Sequence, residues 1–358
     1  MPHRFERWPW WAKRSRNDEL RMANEIQNLK SKIQNSAQAT HGGSRNLLVA
    51  SRSFGKNCPE VLDRMKADGC VFLPGFEKSP GEMELAARMA EADVLVSGTE
   101  PVTERVLAAA PRLKLIAKHG VGVDNIDLAA AKARGIPVAV AGPAMVDSVA
   151  DLALGLLLAL ARRIPQGNAS VKAGRWDRFL GPELRGKVLG IVGLGQIGKA
   201  VACRAKAFGL ELIAFDAFPD RAFAESWQVE FVDLEELLRR SDIITLHAPL
   251  TKETKNLFDA ATFARMKPTA FLINVARGEL VDEVALHESL KTGRIAGAAA
   301  DVFVNEPPGE SPLLTLDNFI AMPHCGGQTP EALRRMGEVT AENIMRVLRG
   351  EKSLYTAS

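Results

Sequence analysis

Cysteine is scarce and scattered, and that scarcity sets the first limits. Cys58, Cys70, Cys203 and Cys325 are the four in 358 residues, with no CxxC spacing and no cluster of His and Cys at metal-ligand intervals. A chain of this size buries enough apolar surface to fold without covalent staples. No disulfide framework and no bound metal are expected, and the thiols read as reduced, in a cytoplasmic protein. Long hydrophobic runs are missing too. The longest unbroken one, Leu152 to Ala161, lies between Asp151 and Arg162 and falls short of the roughly 20 residues that a bilayer span needs. It reads as a core helix, and no membrane partner is expected. Net charge is only +3. The first 45 residues hold nine Lys or Arg against four acids, which leaves the rest slightly negative and without a basic stripe for nucleic acid.

What is present is patterned. The chain is 46% hydrophobic and 25% charged, enough apolar material for two ordinary domains. From Asn46 onward, short β-branched runs alternate with amphipathic helical stretches, the pattern of an α/β protein with parallel sheets covered by helices. One set of strands is expected at Leu47 to Ala50, Val71 to Leu73, Val94 to Ser97, Leu113 to Ala117 and Pro137 to Val140. A second is expected at Val188 to Val192, Leu212 to Phe215, Ile243 to Leu246, Phe271 to Val275, Ala298 to Val302 and Phe319 to Met322. Two doubly wound units account for both sets. The apolar stretch Val146 to Arg163 suits a helix crossing from one to the other, and Pro330 to Leu348 suits a helix crossing back. The units are residues 46–146 and 147–325, with 326–358 completing the first.

Residues 1–45 stand outside this scheme. Trp8, Trp10 and Trp11 precede a polar stretch in which Met22, Ile26, Leu29 and Ile33 recur at helical spacing, and Gly42 and Gly43 form a linker. The stretch reads as a poorly ordered extension with weak helical tendency; an oligomerisation or membrane-surface helix is the sharper alternative. It has no apolar core of signal-peptide type.

Gly193, Gly195 and Gly198 form a G-x-G-x-x-G turn directly after the strand Val188 to Val192, and Ile197, Val201, Ala205 and Phe208 then recur at helical spacing. Such a turn lets a pyrophosphate approach backbone amides at a helix N-terminus. Alone it is weak, since a glycine-rich loop looks the same. Here the next strand ends at Asp216, eighteen residues past Gly198, where a carboxylate meets the ribose hydroxyls of an adenosine. That acid repels a 2′-phosphate, so NAD is expected over NADP, with Arg221 nearby as the one counter-indication.

Three further strand ends carry polar residues: Asn274 to Gly278 with Arg277, Asp301 to Pro307 with Glu306, and Pro323 to Gly327 with His324. Each has a plain alternative, as a surface charge, a turn acid and a loop histidine. Together, each past a hydrophobic strand of one sheet, they suggest a reaction centre.

At this point the sequence resembles the D-isomer-specific 2-hydroxyacid dehydrogenase family, which includes phosphoglycerate dehydrogenases and glyoxylate or hydroxypyruvate reductases. The resemblance runs from about Asn46 to Gly350 and takes in Lys118 to Asn125, the glycine turn, Leu246 to Thr251 and the three strand-end segments, in order. It implies a Rossmann cofactor domain inserted in a discontinuous, flavodoxin-like substrate domain, and a homodimer formed through the cofactor domain. Many phosphoglycerate dehydrogenases also carry C-terminal regulatory domains. This chain ends eight residues after Gly350, so none is expected.

The resemblance also assigns roles. Arg277 is expected to bind the substrate carboxylate and polarise the keto oxygen, using a planar fork that lysine lacks. His324 is expected to carry the proton, and Glu306 to pair with its far ring nitrogen and favour the imidazolium. Gln196 and Ile197 fall at the pyrophosphate, Pro249, Thr251, Val275 and Ala276 along the cofactor groove, and Asp301 at the nicotinamide carboxamide, with Gly326 beside His324. The backbone of His119, Gly120, Val121 and Gly122 is expected to hold the substrate carboxylate. Arg52 and Ser53, after the first strand, stand where a distal phosphate or second carboxylate would be met, though Arg52 reads equally as a solvated loop charge. 3-Phosphoglycerate, glyoxylate and hydroxypyruvate are the substrates implied. A non-catalytic, NAD(H)-sensing co-repressor and a phosphonate or formate dehydrogenase relative are the alternatives. Two departures stand out: Asp147 and Asp151 occupy positions where relatives more often carry Asn and Glu, and Cys325 follows His324 where an apolar residue is usual.

Overall fold

Strands with helices on both faces have no solvent side to alternate with, so they read as unbroken apolar runs. The structure, a computed structural model, describes residues 45–357 and gathers those runs into two parallel sheets. The first holds β1 (Asn46–Val49), β2 (Val71–Phe72), β3 (Val94–Ser97), β4 (Leu115–Lys118) and β5 (Val138–Ala139), in the order β2-β1-β3-β4-β5. The second holds β6 (Val188–Val192), β7 (Glu211–Phe215), β8 (Val229–Phe231), β9 (Ile243–Leu246), β10 (Phe271–Asn274), β11 (Gly297–Ala300) and β12 (Phe319–Ala321), in the order β12-β11-β10-β9-β6-β7-β8. Each sheet grows outward from its first strand in one direction and then in the other. In the second, Val192 at the end of β6 is paired with Phe215 of β7 on one side and Leu246 of β9 on the other. The strand order reverses there, and a crevice opens at the strand C-termini.

The crossing helix Val146–Ala161 buries Val149, Ala153, Leu156, Leu157 and Leu160 in one cluster with Leu189, Ile191, Val201 and Ala205 of the second sheet and its first helix, Gln196–Ala207. It stops two residues before the expected end, and Arg163 is left-handed with φ of 49°. Together with the 3-10 turn before it, the segment Gly142–Ala161 is 20 residues of mean hydropathy 1.9, long and apolar enough to cross a membrane. The sequence expectation measured only the uninterrupted run. Packing against the second sheet's core makes it a core helix in this structure. Asp147 and Asp151, the two departures on this helix, are both held by Arg204 from Gln196–Ala207, at 2.8 and 2.6 Å. The substituted acids thus have a common cation.

The closing helix Pro330–Leu348 returns to the first sheet, where Ala341, Ile344 and Met345 pack with Leu47, Val94, Val96, Leu115 and Ala117. Each such fully buried Ile or Leu stabilises the fold by about 1.5–3 kcal/mol relative to exposure. Two features went unread in the sequence. β8 is a three-residue strand at the sheet edge, and Tyr355 to Ala357 lie antiparallel beside β5, with the Ala357 amide on the Val138 carbonyl at 2.9 Å. The helix expected around Met22 to Ile33 lies outside the described residues.

Candidate active site

Parallel strands deliver their C-termini to one edge, and polar residues just past them collect there. After β6 the chain turns at Gly193, whose φ is +91°. A Cβ there would stand 2.7 Å from the Ala248 amide nitrogen, against backbone that cannot step aside. The missing Cβ of Gly198 would lie 2.2 Å from the Gly193 carbonyl oxygen, so this glycine lets the helix sit directly on the strand. Gly195 caps the helix Gln196–Ala207, and a Cβ there would meet nothing within 4 Å. An open cradle at a helix N-terminus fits a dinucleotide pyrophosphate, with the amides of Gln196 and Ile197 at its mouth. At the end of β7, the Asp216 carboxylate accepts the amides of Leu194 at 2.6 Å and Phe218 at 2.7 Å. It ties the glycine turn to the neighbouring strand. Pro249 and Thr251 are exposed past β9, where the Thr251 hydroxyl accepts the Glu253 amide and closes a local turn.

Past β10, buried Asn274 braces the loop, donating to the Arg277 carbonyl at 2.7 Å and accepting the Ala276 amide at 3.1 Å. Val275 is buried in the core, so only its backbone faces the groove. Arg277 is held at three points. Its Nη1 donates to the Ala276 carbonyl at 2.7 Å, and its Nε to Asp124 Oδ2 at 2.6 Å. Its Nη2 lies 1.5 Å from where a Cβ on Gly122 would be, so the guanidinium rests on that glycine. Among the described residues, the amides of Gly120, Val121 and Gly122 make no backbone hydrogen bond. Guanidinium and amides together offer a place for a carboxylate.

Past β11 and β12 stands a second group. His324 Nδ1 meets Glu306 Oε2 at 2.7 Å, and Glu306 Oε1 accepts the Phe303 amide at 3.1 Å. This contact holds the imidazole above its ordinary pKa by bonding to its charged form, with burial opposing. Burial pushes the Glu306 carboxyl up, but His324, the Phe303 amide and the charge of Arg277 hold it below its ordinary value. Asp301, expected at the nicotinamide, is 2% exposed and accepts the amides of Cys325 and Gly326, one on each carboxylate oxygen, both at 2.8 Å. Its carboxylate therefore shapes the turn that carries His324.

Other expected ligands do not join these groups. The His119 ring is buried edge-on against Phe54 with Nδ1 3.3 Å from Thr340 Oγ1, and burial, then the charge of Lys118, lowers its pKa to about 4. It is a packing residue between the first sheet and the closing helix, and only its backbone is near the glycines. Arg52 is exposed and Ser53 half-buried in the loop after β1. Three neighbours were not singled out from sequence: Asn274, Asp124 and Lys118. Lys118 is buried at the end of β4, bonded to the Gly98 carbonyl and to Asn125 Oδ1; burial, opposed by Glu100, lowers its pKa to about 8. Asp124 had one visible signal, as the only carboxylate in the stretch from Lys118 to Asn125.

Comparison with known proteins agrees with this layout. A family model described as D-isomer specific 2-hydroxyacid dehydrogenase, NAD binding domain, matches residues 154–326. A D-3-phosphoglycerate dehydrogenase of Methanocaldococcus jannaschii is 52% identical over 273 residues, covering 75% of this chain and 52% of that protein. The chain thus spans about half the length of the phosphoglycerate dehydrogenases it matches. A glyoxylate reductase of Korarchaeum cryptofilum is 42% identical over 283 residues, covering 77% of this chain and 85% of that protein. A crystal structure of a Thermus thermophilus protein, 38% identical, superposes with a TM-score of 0.80 and covers 87% of this chain and 100% of that one. Identity of this extent over most of the glyoxylate reductase and the whole Thermus chain is kinship: the chain belongs to the D-isomer specific 2-hydroxyacid dehydrogenase family.

Proposed function

We propose that this protein is an NAD-dependent oxidoreductase acting between the C2 of a D-2-hydroxy acid and that of the matching 2-keto acid. The observation that carries this reading is that one crevice edge holds both an arginine seated on Gly122 and an imidazole paired with Glu306. A bound nicotinamide supplies or takes the hydride. Arg277, with the amides around Val121 and Gly122, binds the substrate carboxylate and draws charge toward the keto oxygen. His324 gives that oxygen a proton in reduction and takes one from the hydroxyl in oxidation. Glu306, on Nδ1, leaves Nε2 for this exchange and stabilises the charged ring. Gly193, Gly195, Gln196, Ile197 and Gly198 hold the pyrophosphate, and Asp216 the ribose. Pro249, Thr251, Val275, Ala276 and Gly326 border the remaining cofactor, and Asp301 sets the loop beside it.

NAD is favoured over NADP because the Asp216 carboxylate at the end of β7 would repel a 2′-phosphate; the nearby cation Lys199 is paired with Asp220 at 2.6 Å, and exposed Arg221 is the one counter-indication. The names of the relatives point to glyoxylate or 3-phosphoglycerate as substrate, and the sequence resemblance adds hydroxypyruvate, with Arg52 for a distal anion. A homodimer through the cofactor domain is supported by exposed apolar side chains in the segment between the crossing helix and β6, where Trp176 is 77% and Leu180 96% exposed. Replacing Leu180 with Glu should leave a monomer in sedimentation, and a dimer that survives would place the interface elsewhere. The functional test is NADH oxidation with glyoxylate, hydroxypyruvate and other 2-keto acids. Turnover is expected with at least one; a protein that binds NADH but turns over none is not this enzyme.

A further inference from the structure

We propose that Asp124 is a positioning residue that orients Arg277 from the opposite sheet and so sets the substrate-carboxylate site. The proposal rests on the functional reading above. A guanidinium on a long flexible stem loses much rotamer freedom when fixed in one pose, so its anchors decide where its donors point. Arg277 follows β10 of the second sheet, and its local anchor, the Ala276 carbonyl, belongs to its own loop. Asp124 follows β4 of the first sheet and binds Nε at 2.6 Å, across a sequence separation of 153 residues. With Nε taken by Asp124 and one Nη1 proton by Ala276, Nη2 keeps both of its N–H groups. Those groups lie against Gly122, beside amides that make no backbone bond among the described residues.

The arrangement separates two jobs that one carboxylate-arginine contact would otherwise confuse. Asp124 takes the donor nearest the stem and leaves the far end of the fork to the ligand. Because its two partners come from loops on different sheets, the pair also fixes the width of the crevice at the place where the substrate carboxylate enters. Both side chains are part-exposed, 44% for Asp124 and 30% for Arg277, so the contact adds little to global stability. Its loss is therefore readable in binding without unfolding the protein.

The test compares Asp124→Asn and Asp124→Glu with the parent full chain. Oxamate, an unreducible mimic of a 2-keto acid, is titrated into each NADH complex by calorimetry, and KM, kcat and the NADH Kd are measured alongside. For Asp124→Asn, oxamate affinity should weaken and KM rise by about ten- to a hundredfold, the cost of a misplaced anchor. The NADH Kd should stay within about twofold, kcat should fall less than KM rises, and Asp124→Glu should recover part of the loss. Oxamate affinity in Asp124→Asn equal to the parent's makes Asp124 a bystander, and tighter affinity makes it a competitor; either overturns the assignment while the parent still turns over keto acids. A parent that binds NADH but neither binds oxamate nor turns over any 2-keto acid overturns the functional reading and this one with it.

Discussion

The main-chain amide of His324 donates to the main-chain carbonyl of Asp301 at 2.8 Å, while the Asp301 carboxylate accepts the next two amides, those of Cys325 and Gly326. Three acceptors on one residue thus hold the turn in which His324 takes a left-handed φ of 50°, a conformation that non-glycine residues enter only when their surroundings enforce it. Asparagine has one side-chain acceptor where aspartate has two, so Asp301→Asn would face an amide donor with another donor. That mismatch, buried, should cost about 1–3 kcal/mol and let the turn relax. We expect a lowered Tm and kcat down by roughly a hundredfold. A variant with parental kcat would mean that the carboxylate is not what holds His324 in place.

Glu306 raises the affinity of His324 for its proton, so the pH profile should carry its mark. In the proposed reaction, reduction consumes the proton on His324. Reductive kcat/KM should therefore be flat at acid pH and decline as pH rises through a pKa lying above the ordinary value of about 6.5. In Glu306→Gln the charged partner is gone while burial still disfavours the imidazolium, so the declining limb should move toward acid. An unmoved limb would assign the titration to another group.

Gly122 has no Cβ where one would collide with Arg277 Nη2, the mobile end of a long side chain. Gly122→Ala should therefore fold normally, with Tm within about 2 °C of the parent, because the guanidinium can swing away. Swinging away removes it from the carboxylate site. We expect KM for the keto acid to rise by about ten- to a hundredfold with NADH affinity unchanged. Normal KM would show that the substrate does not depend on this pose of Arg277.

Most of the architecture was legible because parallel strands buried on both faces are apolar along their whole length, and each ends in a residue whose chemistry stands out against that background. The division into two sets of strands and the strand ends at Asp216, Arg277, Glu306 and His324 came from this contrast, whereas the order of strands within each sheet did not. β8 escaped because three residues at a sheet edge, Val229 to Phe231, are too few to show a period. The strand-like pairing of Tyr355 to Ala357 escaped because main-chain hydrogen bonds leave no side-chain pattern. Asp124 escaped for a different reason: its meaning depends on Arg277, and nothing local links residues so far apart in sequence. His119 was assigned to the site through its backbone beside the glycine turn; the packing of its ring was not legible, because Thr340 of the closing helix, 3.3 Å from Nδ1, lies 221 residues away.

Asp216 offers the sharpest test of cofactor choice. Its carboxylate stands at the end of β7, and Phe218, 90% exposed, flanks it on the solvent side. A 2′-phosphate brings nearly two negative charges to that place. At about 4 Å and an effective dielectric near 20, each pair of like charges costs roughly 4 kcal/mol before screening. Asp216→Asn removes the repulsion but keeps one oxygen for the amides of Leu194 and Phe218, so the glycine turn is loosened without being lost. The ratio of kcat/KM for NADH over NADPH should fall at least about tenfold, through a gain with NADPH as well as a loss with NADH. Lys199 stays with Asp220, which leaves exposed Arg221, close by in sequence, to meet a 2′-phosphate. Replacing Asp216 adds no further cation, so full conversion to NADPH is not expected from this change alone. A ratio that does not move would separate Asp216 from the ribose and leave it only the task of tying the turn to β7.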